Sequence, residues 1–354
     1  MARILFTVCG IGFGHSTRSS ALIKELAKEN EVLVASYGAA FDNLQAEFKN
    51  AEKMHWFELI TSKEKVSKPH TLVYNLPRLP YVAVKNIMTA LGSFRRFKPD
   101  IVISDFDVNG IYTAQLLRVK SIAISHMHLM RYMAPEMGMN ERMQYYFTER
   151  PILDFFNTAD YLLIPALSKP KRRAGEGIHF YGPIVRDEIL SKNPREGGFN
   201  LVYGNKGMVN ELLPIMKSLK NERFVVYWDG PPRRPAGKGN VTLKRLSQSG
   251  FMDDLAASSS VICHGGISLT SEALCLQKPC CVYTPKDFYE RYYNGWLLER
   301  MKVGEVHEKA SLHSLSSFLQ AKERYSRNLS RKSPKPSNAE VLGRINRIIA
   351  KEVR

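Results

Sequence analysis

Short apolar runs alternate with amphipathic stretches from the beginning of the chain. The apolar runs predict strands at residues 3–8, 31–36, 100–104 and 121–125. Apolar residues at helical spacing predict helices at residues 18–29 and 109–117. This order is typical of an open parallel sheet with crossover helices, in which ligands bind just past the carboxyl ends of the strands.

A second alternation of the same kind follows in the other half of the chain. Its predicted strands are residues 200–203, 223–228, 241–246, 261–263 and 280–283, with a helix at residues 210–219. The stretch between the halves, residues 165–194, is rich in Pro, Gly and basic residues, which is typical of a linker. We therefore expect an α/β protein of two similar halves.

The segment after the predicted strand at 261–263 has the features of a phosphate site. His264-Gly265-Gly266 stands at a strand-to-helix turn, where glycines let backbone N–H groups approach an anion closely. Ser268 and Glu272 follow on the predicted helix. A nucleoside diphosphate fits this order, with its phosphates at the helix start and its ribose hydroxyls on Glu272. The alternative is an ordinary Gly-Gly turn of an α/β protein.

Residues 264–290 together resemble the nucleotide-sugar signature of GT-B glycosyltransferases. The resemblance is to the branch of the UDP-dependent glycosyltransferases and the N-acetylglucosaminyltransferase that completes lipid II. It implies that His264, Gly265 and Gly266 meet the diphosphate, that Glu272 holds the ribose and that Glu290 contacts the sugar, and Ser268 is a further candidate for binding the nucleotide sugar. Leu269 replaces a small hydroxyl residue of that pattern, and Arg291 replaces a glutamine, which would suit an acidic sugar.

The resemblance extends more loosely to the rest of the chain. It implies that Gly204 and Asn205 form a donor-side loop and that Phe251, just before a helix, reads the base. It also implies an inverting hexosyl- or N-acetylhexosaminyltransferase that uses a UDP-sugar donor and needs neither a metal nor another cofactor. No Asp-x-Asp pair stands in the C-terminal half, where a metal would bridge the diphosphate.

The domain boundaries follow from the two alternations and the resemblance. The expected fold is GT-B, two Rossmann-like domains facing across a cleft: an acceptor-binding domain at residues 1–165, a linker with flanking loops at 166–197, a nucleotide-sugar-binding domain at 198–330 and a basic C-terminal helix at 331–354. That helix carries Val341, Ile345, Ile348 and Ile349 on one face. We expect this apolar face to pack back on a domain.

A glycine-rich loop, residues 10–15, follows the first strand and ends in His15. Its glycines stand at every second position, which differs from the G-x-G-x-x-G of dinucleotide-binding proteins. In the family that the chain resembles, this loop lies on the acceptor side, which assigns Gly12 and Gly14 to that side. His15 is then the candidate general base, oriented by Asp105.

Other roles for these histidines remain open from sequence. His15 can instead bind the acceptor without proton transfer, or cap the following helix. His126 and His128, at another strand end, are competing acceptor-side candidates.

Charge and composition bear on partners. The net charge of +17 indicates an acidic partner: nucleic acid, an anionic membrane surface or a phosphorylated substrate. Basic and apolar residues mix at 61–100, and residues 129–156 are rich in Met and aromatics. These stretches favour a lipid-linked or membrane-borne acceptor and an anionic membrane surface, the alternative being a buried helix and a solvated charged face.

The expected location is cytoplasmic, peripheral on the inner face of the cell membrane. No apolar run reaches the roughly 18–20 residues of a membrane helix. The five cysteines have no framework spacing, which favours a reducing compartment.

Three rival functions remain: a sugar-nucleotide 2-epimerase of similar architecture, a non-catalytic nucleotide-sugar-binding subunit and a nucleic-acid-binding protein. No nucleic-acid-binding module is visible in the sequence, so nucleic acid is not an expected partner.

Overall fold

The computed structural model describes residues 1–11, 14–55, 61–62, 65–66, 77, 79–156, 158–171, 175–228, 239–245, 248–286 and 288–353. The chain divides into two compact units. Unit 1 comprises Met1–Ile184 and Ser337–Arg354, and unit 2 comprises Val185–Pro336. The first boundary lies inside the segment predicted as a linker. The second lies where the final helix begins, six residues after the predicted start of the C-terminal segment at 331.

Unit 1 contains nine strands among its described residues. They are β1 (Arg3–Val8), β2 (Glu31–Ser36), β3 (Ala51–Lys53), β4 (Thr61–Ser62), β5 (Lys65–Val66), β6 (Ile101–Asp105), β7 (Lys120–Ile124), β8 (Tyr161–Pro165) and β9 (Ile178–Tyr181). Strands β4 and β5 form a separate antiparallel pair. The other seven form one sheet in the order β3-β2-β1-β6-β7-β8-β9, with every pairing parallel.

The helices of unit 1 lie mainly between its strands. They are α1 (Gly14–Leu26), α2 (Gly38–Glu47), α3 (Leu79–Phe97), α4 (Val108–Leu116), α5 (Met130–Met133), α6 (Met139–Gln144) and α7 (Arg150–Phe156). A π-helical turn, Tyr145–Glu149, joins α6 to α7. Asp107 begins α4, because its side chain accepts a hydrogen bond from the Gly110 N–H at 3.1 Å.

Unit 2 contains six strands among its described residues, all paired in parallel in the order β12-β11-β10-β13-β14-β15. The strands are β10 (Asn200–Gly204), β11 (Phe224–Trp228), β12 (Val241–Lys244), β13 (Ser260–Cys263), β14 (Cys280–Tyr283) and β15 (Gly304–His307). The helices are α8 (Asp187–Leu190), α9 (Lys206–Ser218), α10 (Gln248–Ala257), α11 (Ile267–Cys275), α12 (Tyr289–Met301) and α13 (Leu312–Lys332).

Both sheets have the doubly wound order, so the predicted fold class is confirmed. In each unit the first strand pairs with the second on one side and with the fourth strand of that sheet on the other. The chain therefore leaves β1 and β6, and likewise β10 and β13, towards opposite faces of the sheet. A crevice opens between the carboxyl ends of such a strand pair, and this is where ligands bind in open α/β sheets.

The strands are apolar because helices cover both faces of a parallel sheet. In β1, Ile4, Phe6 and Val8 pack in one cluster and Leu5 in another. The final helix, α14 (Asn338–Glu352), returns to unit 1, where its Ile345 lies in the first of these clusters with no exposed surface. The expected packing of the C-terminal helix on a domain is confirmed.

The prediction that residues 166–197 form only a linker and loops was wrong. Strand β9 (Ile178–Tyr181) lies within it and forms the edge of the unit 1 sheet next to β8. The strand is short and only half-buried, so its apolar pattern is weak among the surrounding Gly, Pro and basic residues. The predicted C-terminal segment at 331–354 is longer than its helix, since residues 331–332 end α13 and α14 begins at Asn338.

None of the helices in the described ranges combines the length and apolarity that crossing a membrane requires.

Replacing Ile345 with alanine should lower the free energy of unfolding by about 2–5 kcal/mol, because it leaves a cavity between α14 and the sheet. Urea denaturation followed by circular dichroism measures this change. Asn346→Ala, at an exposed position of the same helix, is the matched control and should shift stability by less than about 0.5 kcal/mol. Equal values for the two variants would contradict this packing of α14.

Candidate functional site

The turn after β13 lies at the crevice of unit 2 and consists of His264, Gly265 and Gly266. Gly265 has φ +83°, and a Cβ there would lie 2.8 Å from the Arg291 carbonyl oxygen, so only glycine fits. Gly266 is the N-cap of α11 and has no side chain to occupy the first N–H groups of the helix. Those N–H groups and the helix dipole favour an anion at this point.

His264 has an unusual environment for a histidine. Its Nδ1 is buried and has no hydrogen-bond partner among the described residues. Burial, reinforced by the charge of Arg291, lowers the pKa of His264 to about 3, so the ring is neutral at physiological pH. Its ring meets that of Tyr203 edge-on, with the centroids 5.6 Å apart. A buried polar atom without a partner costs free energy unless a ligand or water satisfies it.

Arg291 lies beside the same turn. Its guanidinium stands over the Phe288 ring, 5.2 Å from the centroid. Burial lowers its pKa, although the neighbouring Glu290 carboxylate opposes that change. The sequence resemblance assigned Arg291 to the sugar. In the structure Arg291 lies next to Gly265, where its positive charge also suits a phosphate.

Glu272 is held by an arginine that the sequence analysis missed. The Arg186 guanidinium donates two hydrogen bonds to the carboxylate, at 2.6 Å from Nε and 2.7 Å from Nη2. Glu272 is 3% exposed, and burial raises its pKa while Arg186 opposes the rise. The carboxylate expected to hold a ribose is therefore already fixed in position, with one acceptor site left on each oxygen.

Two further residues of the predicted donor site lie on helices that begin at or beside this turn. Ser268 is the second residue of α11, directly after the turn. Glu290 is the second residue of α12, which begins beside the turn: the Asn294 side-chain amide of that helix donates to the Gly265 carbonyl at 2.9 Å. Thr270, which flanks Leu269, uses its hydroxyl to donate to the Gly266 carbonyl at 2.9 Å.

The end of β10 lies across the crevice from that turn in the unit 2 sheet. Gly204 ends this strand, and Asn205 caps α9 by accepting a hydrogen bond from the Met208 N–H at 2.9 Å. The Asn205 side chain thus has a structural task whether or not it meets a ligand.

The placement expected for Phe251 was wrong. This residue lies within α10 rather than just before a helix. Its ring is 8% exposed and packs edge-on against Tyr203 and Tyr227, with centroids 5.4 Å and 5.2 Å away. Little of its surface is left to contact a base.

Unit 1 brings His15 and Asp105 together at its own crevice, between β1 and β6. His15 Nδ1 lies 2.8 Å from Asp105 Oδ1. Arg18 bonds both carboxylate oxygens, Ser19 donates to Oδ2 at 2.7 Å, and Asp105 is 1% exposed. Burial works to raise the pKa of Asp105, but Arg18 and His15 outweigh it and hold the pKa well below its usual range.

Two groups meet at His15 Nδ1: the Asp105 carboxylate oxygen Oδ1 at 2.8 Å and the Arg18 nitrogen Nη2 at 3.0 Å. The carboxylate can only accept a hydrogen bond and the guanidinium can only donate one. The tautomer that bonds to Asp105 carries its proton on Nδ1 and leaves the lone pair on Nε2. This is the arrangement that a general base requires.

The remaining acceptor-side candidates differ in position. Gly14 begins α1, whereas Gly12 lies outside the described residues. His126 is 2% exposed, with Nδ1 3.1 Å from the Pro165 carbonyl. His128 is bonded through both ring nitrogens, to Ser125 and Leu153, and burial lowers its pKa to about 4. Of the three histidines, His15 is the most exposed.

Comparison with known proteins shows the family of this chain. Residues 2–322 match the family described as glycosyl transferase family 1. The chain belongs to glycosyl transferase family 1. Relatives of this family 1 chain include an uncharacterised glycosyltransferase of Methanosarcina acetivorans, 24% identical over 335 residues that cover 86% of this chain and 85% of the relative.

A second relative has a named activity. It is the UDP-N-acetylglucosamine–N-acetylmuramyl-(pentapeptide) pyrophosphoryl-undecaprenol N-acetylglucosamine transferase 2 of Bacillus cereus, 24% identical over 323 residues that cover 82% of this chain and 81% of the relative.

Solved glycosyltransferases share the fold. The glycosyltransferase of kitacinnamycin superposes with a TM-score of 0.67 at 15% identity, over 100% of this chain and 99% of that one. MurG of Acinetobacter baumannii superposes with a TM-score of 0.63 at 13% identity, over 98% of this chain and 100% of that one. The fold is GT-B.

His264 should make the stability of this glycosyltransferase depend on pH. Its pKa is about 3 in the folded protein, against an ordinary histidine value of 6.5. The stabilisation from its neutral form is therefore complete above about pH 6.5 and is lost, at up to about 1.4 kcal/mol per pH unit, as pH falls towards 3. His264→Gln should show a correspondingly shallower decline in urea denaturation between pH 6 and 4. Parallel curves for wild type and variant would contradict the burial of this histidine.

Proposed function

We propose that this family 1 glycosyltransferase moves a sugar from a nucleoside diphosphate, UDP first among them, to an acceptor hydroxyl, with inversion and without a metal. The observation that carries the donor assignment is the buried, unpartnered Nδ1 of His264 beside a glycine-capped helix start at the unit 2 crevice. Such an atom gains a hydrogen-bond partner when a ligand arrives. UDP is preferred because the Bacillus cereus relative is named for a UDP-sugar donor.

At the donor end, the diphosphate lies at the start of α11. The N–H groups at the start of this helix, its dipole and the Arg291 guanidinium stabilise the negative charge that grows as the diphosphate leaves. Glu272 accepts the ribose hydroxyls through its remaining acceptor sites, with Arg186 holding it in place. Glu290, at the start of α12, faces the sugar.

At the acceptor end, His15 acts as the general base. Nε2 takes the proton of the acceptor hydroxyl while its oxygen forms the bond to the anomeric carbon. The bond from that carbon to the diphosphate breaks, and its electron pair leaves with UDP. Attack from the face opposite the leaving group inverts the anomeric centre. Asp105 then stabilises the protonated His15 through the bond at Nδ1.

Replacing His15 with alanine should lower kcat by about 10²–10³-fold, because it removes the base. The thermal shift produced by UDP should remain, since the donor site lies in unit 2. Ser16→Ala, the next residue on α1, is the control for local disturbance and should keep most of the turnover. Near wild-type turnover in His15→Ala would end the assignment of His15 as the base.

We also propose a lipid-linked or membrane-borne acceptor. Met139, Met143 and Phe147 recur about one helical turn apart along α6 and the π-helical turn, and are 73%, 51% and 73% exposed. Arg142 is exposed among them, and Arg150 stands over the ring of the neighbouring Tyr146. Exposed apolar residues mixed with cations suit the boundary of an anionic bilayer.

The same stretch also contains core residues. Met130 and Met133 are fully buried and Tyr145 is 3% exposed. The alternative of a buried Met-rich helix therefore applies to Met130 and Met133, whereas Met139, Met143 and Phe147 form the exposed apolar surface.

In vesicle flotation, the protein should float with vesicles that contain phosphatidylglycerol and float less with neutral ones. Met143→Ser with Phe147→Ser should weaken this binding, while Leu116→Ser, which removes an exposed apolar residue of α4, should not. A wild type that floats with neither kind of vesicle would exclude the membrane surface.

A further inference from the structure

Phe106 has a backbone conformation that is rare for a bulky residue. Its φ is +51°, in the left-handed region. The other described non-glycine residues with positive φ each lie within two residues after the end of a helix: Lys98, Arg118, Gln277 and Lys302. Left-handed residues commonly end helices. Phe106 alone in this group follows a strand, β6, and precedes the cap of α4.

The neighbours of Phe106 explain why the backbone turns at this position, but they do not explain why the residue is a phenylalanine. Asp105 before it is bound to His15, and Asp107 after it caps α4. The chain must turn sharply between these two carboxylates. Glycine or asparagine would make that turn with less strain. An aromatic ring held there despite the strain indicates a task for the ring, since strained residues cluster where function requires them.

The ring lies beside the candidate base. The Phe106 and His15 rings are nearly parallel, with an interplanar angle of 13° and centroids 6.0 Å apart. Phe106 is half-buried, so part of its surface packs on the apolar cluster under α4 and part is accessible.

We propose that Phe106 is an acceptor-binding residue, whose ring packs against the apolar face of the sugar ring that carries the attacking hydroxyl. This inference rests on the proposed function. A hydroxyl within hydrogen-bond reach of His15 Nε2 belongs to a group that also lies close to the Phe106 ring. That group must therefore be polar at its rim and apolar on its face. A sugar ring has both properties, whereas a lipid chain lacks the first.

Binding of methyl glycosides tests this proposal without requiring turnover. A panel of methyl hexosides and N-acetylhexosaminides is added to the protein with UDP and observed by saturation-transfer difference NMR. The wild type should bind at least one of them, and Phe106→Ala should bind it about tenfold more weakly, the scale of one ring contact. Phe106→Tyr, which keeps the ring, should bind like the wild type.

Two further variants separate binding from packing. Phe97→Ala removes another aromatic ring that packs on the same apolar cluster and should leave glycoside binding unchanged. Phe106→Gly should unfold at a higher denaturant concentration than Phe106→Ala, since glycine adopts this φ freely. It replaces Phe106→Ala in the binding test if the alanine variant does not fold.

Equal glycoside binding by the wild type and Phe106→Ala, or no glycoside bound by the wild type, would overturn the inference. The proposed function is judged separately, by whether UDP alone produces a thermal shift in the wild type.

Discussion

The reversal of strand order in each sheet is the constraint on which both candidate sites depend. Because β1 lies between β2 and β6, the chain leaves β1 towards one face of the sheet and leaves β6 towards the other. The same holds for β10 and β13. Each crevice that results collects side chains distant in sequence: His15 meets Asp105 in unit 1, and the turn at His264 lies beside the end of β10 in unit 2. The chemistry of both sites follows from this topology.

Each crevice also contains a buried carboxylate paired with an arginine. Asp105 is bound by Arg18 and Glu272 by Arg186, in each case through both carboxylate oxygens. A buried ion is costly, and removing one partner of such a pair typically costs 3–5 kcal/mol. The two carboxylates are thus fixed in orientation before any ligand arrives. Fixed groups need no reordering during binding or reaction, which is how an active site gains rate and affinity.

The sequence predicted those features of the structure that depend on local residue patterns. Apolar runs located nine of the strands to within about two residues, and the glycine turn at 264–266 located the candidate phosphate site. Long-range contacts were not predictable in this way. Arg186 pairs with Glu272, 86 positions away, and no local pattern in a single sequence indicates that contact. The place of Arg18 in the site could have been predicted from sequence. It lies three residues after His15 on one helix, and this spacing places two side chains on the same face. The strain at Phe106 is a property of the backbone and is absent from the sequence pattern.

The proposed donor site consists of the turn at His264 and the carboxylate of Glu272. Isothermal titration calorimetry of UDP into the wild type and into the double variant His264→Ala with Glu272→Ala tests it most directly. UDP should bind the wild type, and the double variant should bind it at least about tenfold more weakly, the scale of one or two lost hydrogen bonds. Equal heats for both proteins, or no binding of UDP to the wild type, would contradict it.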